Sequence, residues 1–308
     1  MKISAVIVTF NRCALLSRCL DAIAHQSSKP DEVVVVDNAS TDATADMVAG
    51  RVGEIKSGWL RYFRLPDNRG GAGGFEHGMR EALRGGADWV WLMDDDAEAF
   101  PDALQCLLAD SPQPTQVYAS VPQRDGELAW PVTWTNPESH AGGVAHRVEQ
   151  IPPRCVVESH PFIGFLIHRD LVERIGLPDG QLYISADDIE YSLRARADGA
   201  RIVLVRASLI SHPVARTRHV RLLGRSLPVI SLAPWRRYYD TRNRLLVARR
   251  HHGFRLWTHA LPGTLARMLV VAVYEPRKQA QLKAAAAGLW DGLRGVSGMR
   301  HTFWALES

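Results

Sequence analysis

Residues 89–96 read Trp-Val-Trp-Leu-Met-Asp-Asp-Asp, an apolar run that stops on three adjacent carboxylates. A core accepts the first part and excludes the second, and neighbouring like charges repel one another unless a cation sits among them. The pattern points to a strand whose carboxyl end presents oxygen ligands to a divalent ion. Hard oxygen donors suit Mg²⁺ or Mn²⁺, ions that commonly also hold phosphate oxygens. A solvated acidic turn is the plainer alternative. Two other places carry titratable groups. Asp187 and Asp188 open the segment Asp-Asp-Ile-Glu-Tyr. There they either complement a helix dipole or supply a general base for a hydroxyl proton within hydrogen-bond reach. His212 ends the apolar stretch Leu209-Ile210-Ser211, and beside an acidic metal site its imidazole becomes a candidate third ligand.

For these groups to act, the chain must bring them to defined places. Residues 3–10 form an apolar, β-branched run and predict a strand, and 14–26 set Leu15, Leu16, Cys19, Leu20 and Ile23 at helical spacing. Residues 32–36 predict a second buried strand ending on Asp37, with Ser40 or Thr41 placed to cap a short helix reaching Ala49. A third strand is expected over 60–65, a glycine-rich loop over 68–74, a helix over 75–84 and a fourth strand over 89–93. Pro101 then starts a helix to Leu108. Such alternation with short links implies right-handed βαβ units and a mostly parallel sheet, whose ligands gather at the carboxyl ends of strands. Residues 9–12, 37–40 and 94–96 all fall there. Residues 111–160 are Pro-rich and irregular, with short strands expected near Val117 and Trp130. A strand over 162–168, a helix over 186–197, a strand over 201–205 and an extended segment over 208–212 follow. After Pro234 the pattern is helical, with breaks at Gly253 and near Pro276.

A chain of 308 residues with 46% hydrophobic content supports one large domain, or one domain with a helical appendage. No stretch reaches about 18 uninterrupted apolar residues, so no ordinary transmembrane helix is expected. The short apolar start after Lys2 reads as a strand rather than a leader. Cys13, Cys19, Cys106 and Cys155 form neither a CxxC pair nor a metal-ligand cluster, which suits reduced thiols in the cytosol. The net charge of +4 hides an asymmetry: residues 1–200 carry 18 basic and 29 acidic side chains, residues 201–308 carry 19 and 4. Opposite signs suggest a metal-binding catalytic part and a cationic part facing an anionic surface, either nucleic acid or an anionic lipid or lipid diphosphate, unless the basic face is simply solvated.

Two phosphate-binding motifs fail. In Asn68-Arg-Gly-Gly-Ala-Gly-Gly-Phe75, with Gly71 and Gly73 as the first two glycines, the sixth position of a dinucleotide fingerprint is Glu76. The Leu-Met-Asp-Asp run is not accompanied by GxxxxGK[ST], which removes a P-loop ATPase.

Taken in order, Ala5-Val-Ile-Val-Thr-Phe-Asn-Arg12, Val35-Val-Asp-Asn-Ala-Ser-Thr-Asp42, the glycine-rich segment, the acidic triplet, Asp187-Asp188 and His212 resemble a GT-A family 2 glycosyltransferase over roughly residues 1–215. The glycine-rich segment with a full Asp-Asp-Asp is most similar to bacterial galactofuranosyltransferases of the shorter, initiating type; rhamnosyltransferases of the same family are near relatives. The resemblance implies a GT-A catalytic domain over 1–215 and a basic, mainly helical region over 216–308. It implies metal ligands at Asp94, Asp96 and His212, with Mn²⁺ or Mg²⁺. Donor-binding residues would be Thr9, Phe10, Asn11, Arg12, Asp37, Asn68, Gly71, Asp94 and Asp95, with Thr9, Arg12 and Asp37 at the uridine. Asp188 would be the catalytic base, and Asp187, Phe162, Gly164 and Tyr239 would meet the acceptor. One departure stands out: galactofuranosyltransferases often carry an aromatic residue before the paired acids, and this chain has Ala186. The extra N-terminal domain of polymerising relatives is also missing, which implies one or a few additions.

The expected activity is inverting, metal-dependent sugar transfer, with UDP-galactofuranose as donor and a glycan or polyprenyl-diphosphate-linked glycan as acceptor, in cell-surface polysaccharide synthesis. dTDP-rhamnose is the alternative donor. No nucleic acid partner is expected. The location would be cytoplasmic, with the basic end, including Tyr238, Tyr239, Arg242, Asn243 and Arg244 and the apolar stretch Leu261–Val273 around Arg267, either as a peripheral face toward the inner surface of the membrane or as a helical cap packed on the catalytic domain. Two other classes differ in kind. A sugar-phosphate nucleotidyltransferase usually places a glycine-rich, basic loop after its first strand, where this chain has Thr9-Phe-Asn-Arg12. A non-catalytic sugar-nucleotide module leaves the acidic groups without a task.

Overall fold

The computed structural model describes residues 1–306 except 137, 140, 215, 216, 223 and 224, and for 217–222 and 225–230 it describes the backbone alone. The chain divides into two compact units, Met1–Asp179 with Tyr191–Ala215, and Gly180–Glu190 with Arg216–Ser308. The segment bearing Asp187 and Asp188 therefore groups with the C-terminal part of the chain.

The first unit is α/β. It runs β1 (Ile3–Thr9), α1 (Cys13–Ala24), β2 (Glu32–Asp37), α2 (Thr44–Ala49), α3 (Val52–Lys56), β3 (Leu60–Arg64), α4 (Gly70–Arg84), β4 (Trp89–Asp94), β5 (Glu98–Ala99) and α5 (Ala103–Leu108). Then come β6 (Val117–Arg124), β7 (Glu127–Thr135), β8 (Gly142–Arg147), β9 (Arg154–Val157), β10 (Phe165–His168), α6 (Arg169–Ile175), α7 (Asp187–Ala197, which crosses the unit boundary) and β11 (Ile202–Ser211). The sheet order is β3-β2-β1-β4-β10-β6-β11-β9-β7-β8. Its first four strands are parallel, and β10 joins β4 antiparallel, so the sheet is mixed. Both faces are covered, which explains the unbroken apolar strands. Along β1, Ile3, Ala5 and Ile7 point into one core with Leu16, Leu20 and Ile23 of α1, while Val6 and Val8 point into the other with Phe75 and Met79 of α4.

The glycine-rich segment is not a loop. Helix α4 already begins at Gly70, and Gly73, Gly74 and Gly78 lie within it. A Cβ on Gly74 would stand 2.4 Å from Val8 Cγ1, and one on Gly78 2.4 Å from Val6 Cγ1. The glycines let α4 lie directly on β1, a close approach that composition alone presents as a loop. A cap from Ser40 or Thr41 is also absent: α2 starts at Thr44, and Asp42 accepts from the Thr44 N–H and hydroxyl. The strand expected over 162–168 begins at Phe165. Ahead of it Gly164 takes φ +75°, where a Cβ would stand 2.3 Å from Ser120 Oγ.

The second unit contains the hairpin β12 (Thr217–Leu222) and β13 (Arg225–Ile230), and helices α8 (Pro234–His251), α9 (Leu261–Tyr274) and α10 (Lys278–Arg294). A π-helical turn, Leu256–Ala260, leads into α9. Gly288 and Gly292 of α10 meet α8 closely; a Cβ on Gly288 would stand 2.5 Å from the Tyr238 carbonyl oxygen. Tyr238, Tyr239, Arg242 and Asn243 of α8 are fully buried. They form no outer cationic face, although the sequence grouped them that way. Among the described residues, Leu256–Tyr274 is a helix of 19 residues, long and apolar enough to cross a membrane by length and composition alone, a test that the core helix of a soluble protein also passes. Thr258, His259, Pro262 and Arg267 interrupt its apolar run, so a search for an uninterrupted stretch passes over it.

Candidate active site

Strand register places the acidic groups. Val8 pairs with Asp94 and Thr9 with Asp37, so the ends of β1, β2 and β4 lie side by side. The triplet then turns into β5, whose Glu98 and Ala99 pair with Ser211 and Ile210 at the end of β11. That pairing brings His212 to Asp96, with Nε2 3.5 Å from Oδ1. Nδ1 of His212 lies 2.8 Å from the Pro213 carbonyl oxygen, which makes it the protonated nitrogen and turns the Nε2 lone pair toward Asp96 when the ring is neutral. Two acceptors face each other there, an arrangement completed by a proton or a cation. Trp130 of β7 packs edge-on against the imidazole, with ring centroids 5.8 Å apart.

Arg12 supplies the positive charge among the acids. Its Nη1 lies 3.0 Å from Asp95 Oδ1 and 3.1 Å from Asp96 Oδ2. Thr9 Oγ1 donates to Asp95 Oδ2 at 2.8 Å. Burial pushes the Asp95 carboxyl up, and Arg12 and Thr9 pull the other way without cancelling it. Burial acts the same way on Asp96, but a hydrogen bond donated from the charged form of His212 and the charge of Arg12 overcome it and hold this carboxyl below its usual range. Burial opposes the Arg12 charge, and Asp95 and Asp96 outweigh it, so the guanidinium is held more firmly protonated. Among the described residues, no three His, Cys, Asp or Glu side chains already converge as a cage for an ion. The donor set nevertheless fits a hard divalent cation: carboxylates at a strand end, and an imidazole whose outer nitrogen is already fixed.

The other donor-side residues divide into accessible and committed groups. Phe10 is exposed. A Cβ on Gly71, at the start of α4, would meet nothing within 4 Å, unlike those on Gly73, Gly74 and Gly78. Asp37 is fully buried; its Oδ1 accepts from the Ser40 N–H and its Oδ2 from the Tyr62 hydroxyl. Sequence reading missed Tyr62 and Ser40 as partners, and the Thr9–Asp37 register together with alternation along β3 is the signal that would have flagged them. Asn11 takes a left-handed φ of 53° and its Oδ1 accepts from the Thr41 N–H at 2.7 Å, stitching the first loop to the second. Asn68 Oδ1 accepts from the Gly70 N–H at 2.8 Å and so shapes the entry to α4.

In the second unit, Asp187 is buried and Asp188 half-buried at the first turn of α7. Asp188 Oδ1 accepts from the Ile189 N–H at 2.7 Å. Burial pushes both carboxyls well up, and the charge of Asp188 adds to the effect on Asp187. A carboxylate raised in this way is suited to take up a proton near neutral pH.

Three acceptor-side expectations meet a different environment. Phe162 is buried in an aromatic cluster with Phe75, Phe165 and Tyr191. Gly164 answers a packing demand at Ser120. Tyr239 is fully buried, stacked on Tyr183, with its hydroxyl 2.9 Å from His301 Nδ1. All three belong to the interior, because local sequence shows residue type but not which face of a distant element will cover it.

A parallel βαβ half-sheet carrying acids at the end of its fourth strand defines a GT-A glycosyltransferase fold, and the chain belongs to glycosyltransferase family 2, matched over residues 4–173. More narrowly, it is galactofuranosyltransferase-like. It is 32% identical over 242 residues to the galactofuranosyltransferase GlfT1 of Mycolicibacterium smegmatis, spanning 72% of this chain and 74% of that relative. It is 30% identical over 259 residues to GlfT1 of Mycobacterium tuberculosis, spanning 78% and 80%. A dTDP-rhamnosyl transferase, RfbF of Shigella flexneri, is 24% identical over 96% of this chain and 97% of its own. Among solved structures, the mannosyltransferase PcManGT of Pyrobaculum calidifontis, in complex with GDP-Man and Mn²⁺, shares the fold with a TM-score of 0.56 at 19% identity, covering 95% of this chain and 87% of that one. GalNAc-T7, with UDP, GalNAc and Mn²⁺, does so with a TM-score of 0.60 at 15% identity, covering 96% and 56%.

Proposed function

We propose that this glycosyltransferase moves galactofuranose from UDP-galactofuranose to a hydroxyl of a glycan or lipid-linked glycan acceptor, with inversion and with a divalent metal. The observation that carries the reading is the 32% identity to GlfT1 of M. smegmatis, against 24% to the rhamnosyl transferase. Asp94, Asp96 and His212 would hold Mn²⁺ or Mg²⁺, which when bound supplies charge neutralisation for a departing nucleotide diphosphate. Thr9, Arg12, Asp37, Asn68, Gly71 and Asp95 serve the donor, Arg12 contributing a fixed positive charge and Gly71 an open backbone. The acceptor oxygen bonds to the anomeric carbon as the bond to the diphosphate breaks, and its proton goes to Asp188. Taking that proton is worth roughly 10²–10⁴ in rate. Asp187 contacts donor or acceptor hydroxyls.

The test is a transfer and hydrolysis screen of sugar nucleotides with Mn²⁺. Preference for UDP-galactofuranose is the expected result. Preference for dTDP-rhamnose would favour the second reading, which the near full-length match to RfbF supports. Turnover of neither would overturn both.

A further inference from the structure

We infer that Arg242 and Asn243 are positioning residues that hold the backbone of segment 181–186, and through it the acidic pair, in the working arrangement. The inference rests on the reading of Asp188 as the base.

The segment before the pair is unusual. Tyr183, Ser185 and Ala186 have φ of 68°, 72° and 62°, a left-handed conformation that L side chains rarely adopt. Three such residues within four positions would relax if nothing fixed them, and the start of α7 would turn with them.

What fixes them is α8. The Asn243 amide nitrogen lies within hydrogen-bond reach of the carbonyls of Leu182 at 2.9 Å, Ile184 at 2.9 Å and Ser185 at 2.7 Å, which share its two N–H groups. Its orientation is assigned by its neighbour: Arg242 Nε donates to Asn243 Oδ1 at 2.8 Å, so the NH₂ end must face the loop. Arg242 Nη2 donates to the Leu182 carbonyl at 2.9 Å, and Nη1 donates to that of Gly298. The guanidinium lies over the Tyr239 ring, 4.7 Å from its centroid. Arg242 and Asn243 are both fully buried.

A buried guanidinium is an expensive way to fill a core. Apolar side chains would pack the same volume without the desolvation, but they could not satisfy the carbonyls of a left-handed loop. A second grip lies past the pair: Glu190 Oε1 accepts from Arg250 Nη1 at 2.9 Å and His251 Nε2 at 3.0 Å. Helix α8 thus holds the chain on both sides of Asp187 and Asp188.

The experiment uses the full chain and reads kcat, donor KM and melting temperature for Asn243→Ala, Arg242→Lys and Asp188→Ala. A catalytic group displaced by about 1 Å loses on the order of 10² in rate. Asn243→Ala is therefore expected to lower kcat about 10²-fold while donor KM stays within about twofold. Arg242→Lys keeps the charge but loses the Nε contact, and a loss of about tenfold in kcat is expected, again without a change in donor KM. If Asp188→Ala is inactive while both α8 variants turn over normally, the inference falls and the base reading stands. If Asp188→Ala is itself near normal, the base reading has failed. Parallel losses in kcat and donor binding, or failure of both α8 variants to fold, would show that the pair serves only the fold, and would overturn the inference.

Discussion

Replacing Gly78 by alanine tests how closely α4 lies on the sheet. The added Cβ would stand 2.4 Å from Val6 Cγ1 and 3.0 Å from Val36 Cγ2, on two neighbouring strands in the middle of the parallel half-sheet. Comfortable carbon contacts lie at about 3.5–4.0 Å, so helix and strand must part by roughly 1 Å. Valine has few rotamers in which to step aside. Overpacking of this kind costs about 1–3 kcal/mol, and a 2.4 Å contact with a fixed methyl belongs in the upper part of that range. Against it stands a helix-propensity gain of about 0.8–1.0 kcal/mol for alanine over glycine. The net loss is about 1–2 kcal/mol, which for a unit of this size lowers the melting temperature by roughly 2–8 °C. Gly71→Ala is the contrast: its Cβ meets nothing within 4 Å, so stability should hold or rise while donor KM increases. Thermal melts followed by circular dichroism, with donor kinetics on the same samples, read both. A Gly78→Ala protein that melts at or above the unaltered chain would refute the packing argument, and an unchanged donor KM in Gly71→Ala would remove that glycine from the donor site.

Asp96→Ala removes a carboxylate that faces both His212 and Arg12, and should abolish the gain in UDP affinity that Mn²⁺ provides; calorimetric titration with and without the ion checks this, and equal affinities would count against the ligand assignment. The raised carboxyls of Asp187 and Asp188 make turnover climb with pH above the ordinary carboxylate range, because the base must be ionised; a rate that stays flat down to about pH 4 would exclude either as that base. The same shift has a stability consequence. Folding raises the Asp187 pKa, so its ionised form is disfavoured in the fold, and the penalty is absent below the unfolded value and grows as pH rises through the folded one. Asp187→Asn should therefore raise the melting temperature more at about pH 8 than at about pH 5, and a gain independent of pH would contradict the burial effect. Leu265, Leu269 and Val273 of α9 are exposed, and we propose that this face meets an anionic bilayer; the full chain should then pellet with anionic vesicles at low salt, and failure to do so would remove the membrane from the proposal.

Much of the first unit is legible in sequence. The apolar runs over 3–10, 32–36 and 89–93 are strands because a sheet covered on both faces needs unbroken apolar strands, and Asp37 and the acidic triplet mark where they end. The glycine-rich segment was misread as a loop because composition does not distinguish a glycine needed for a turn from one needed for close packing. Tyr239 and Arg242 read as surface groups because a run of arginines and tyrosines carries no signal of a second helix folding over it, as α10 does.

Local periodicity alone was enough for the strand–helix alternation of the first hundred residues and for the polar residues at the ends of β1, β2 and β4, while the expectation that the acids and His212 share one chemistry came from the family resemblance. Tertiary structure decided the pairings. It set His212 beside Asp96 through the β5–β11 contact, shared Arg12 between Asp95 and Asp96, and turned Asn243 inward to hold the loop before Asp187. Those choices depend on contacts between segments far apart in the chain, where register and packing rather than residue type select the partner.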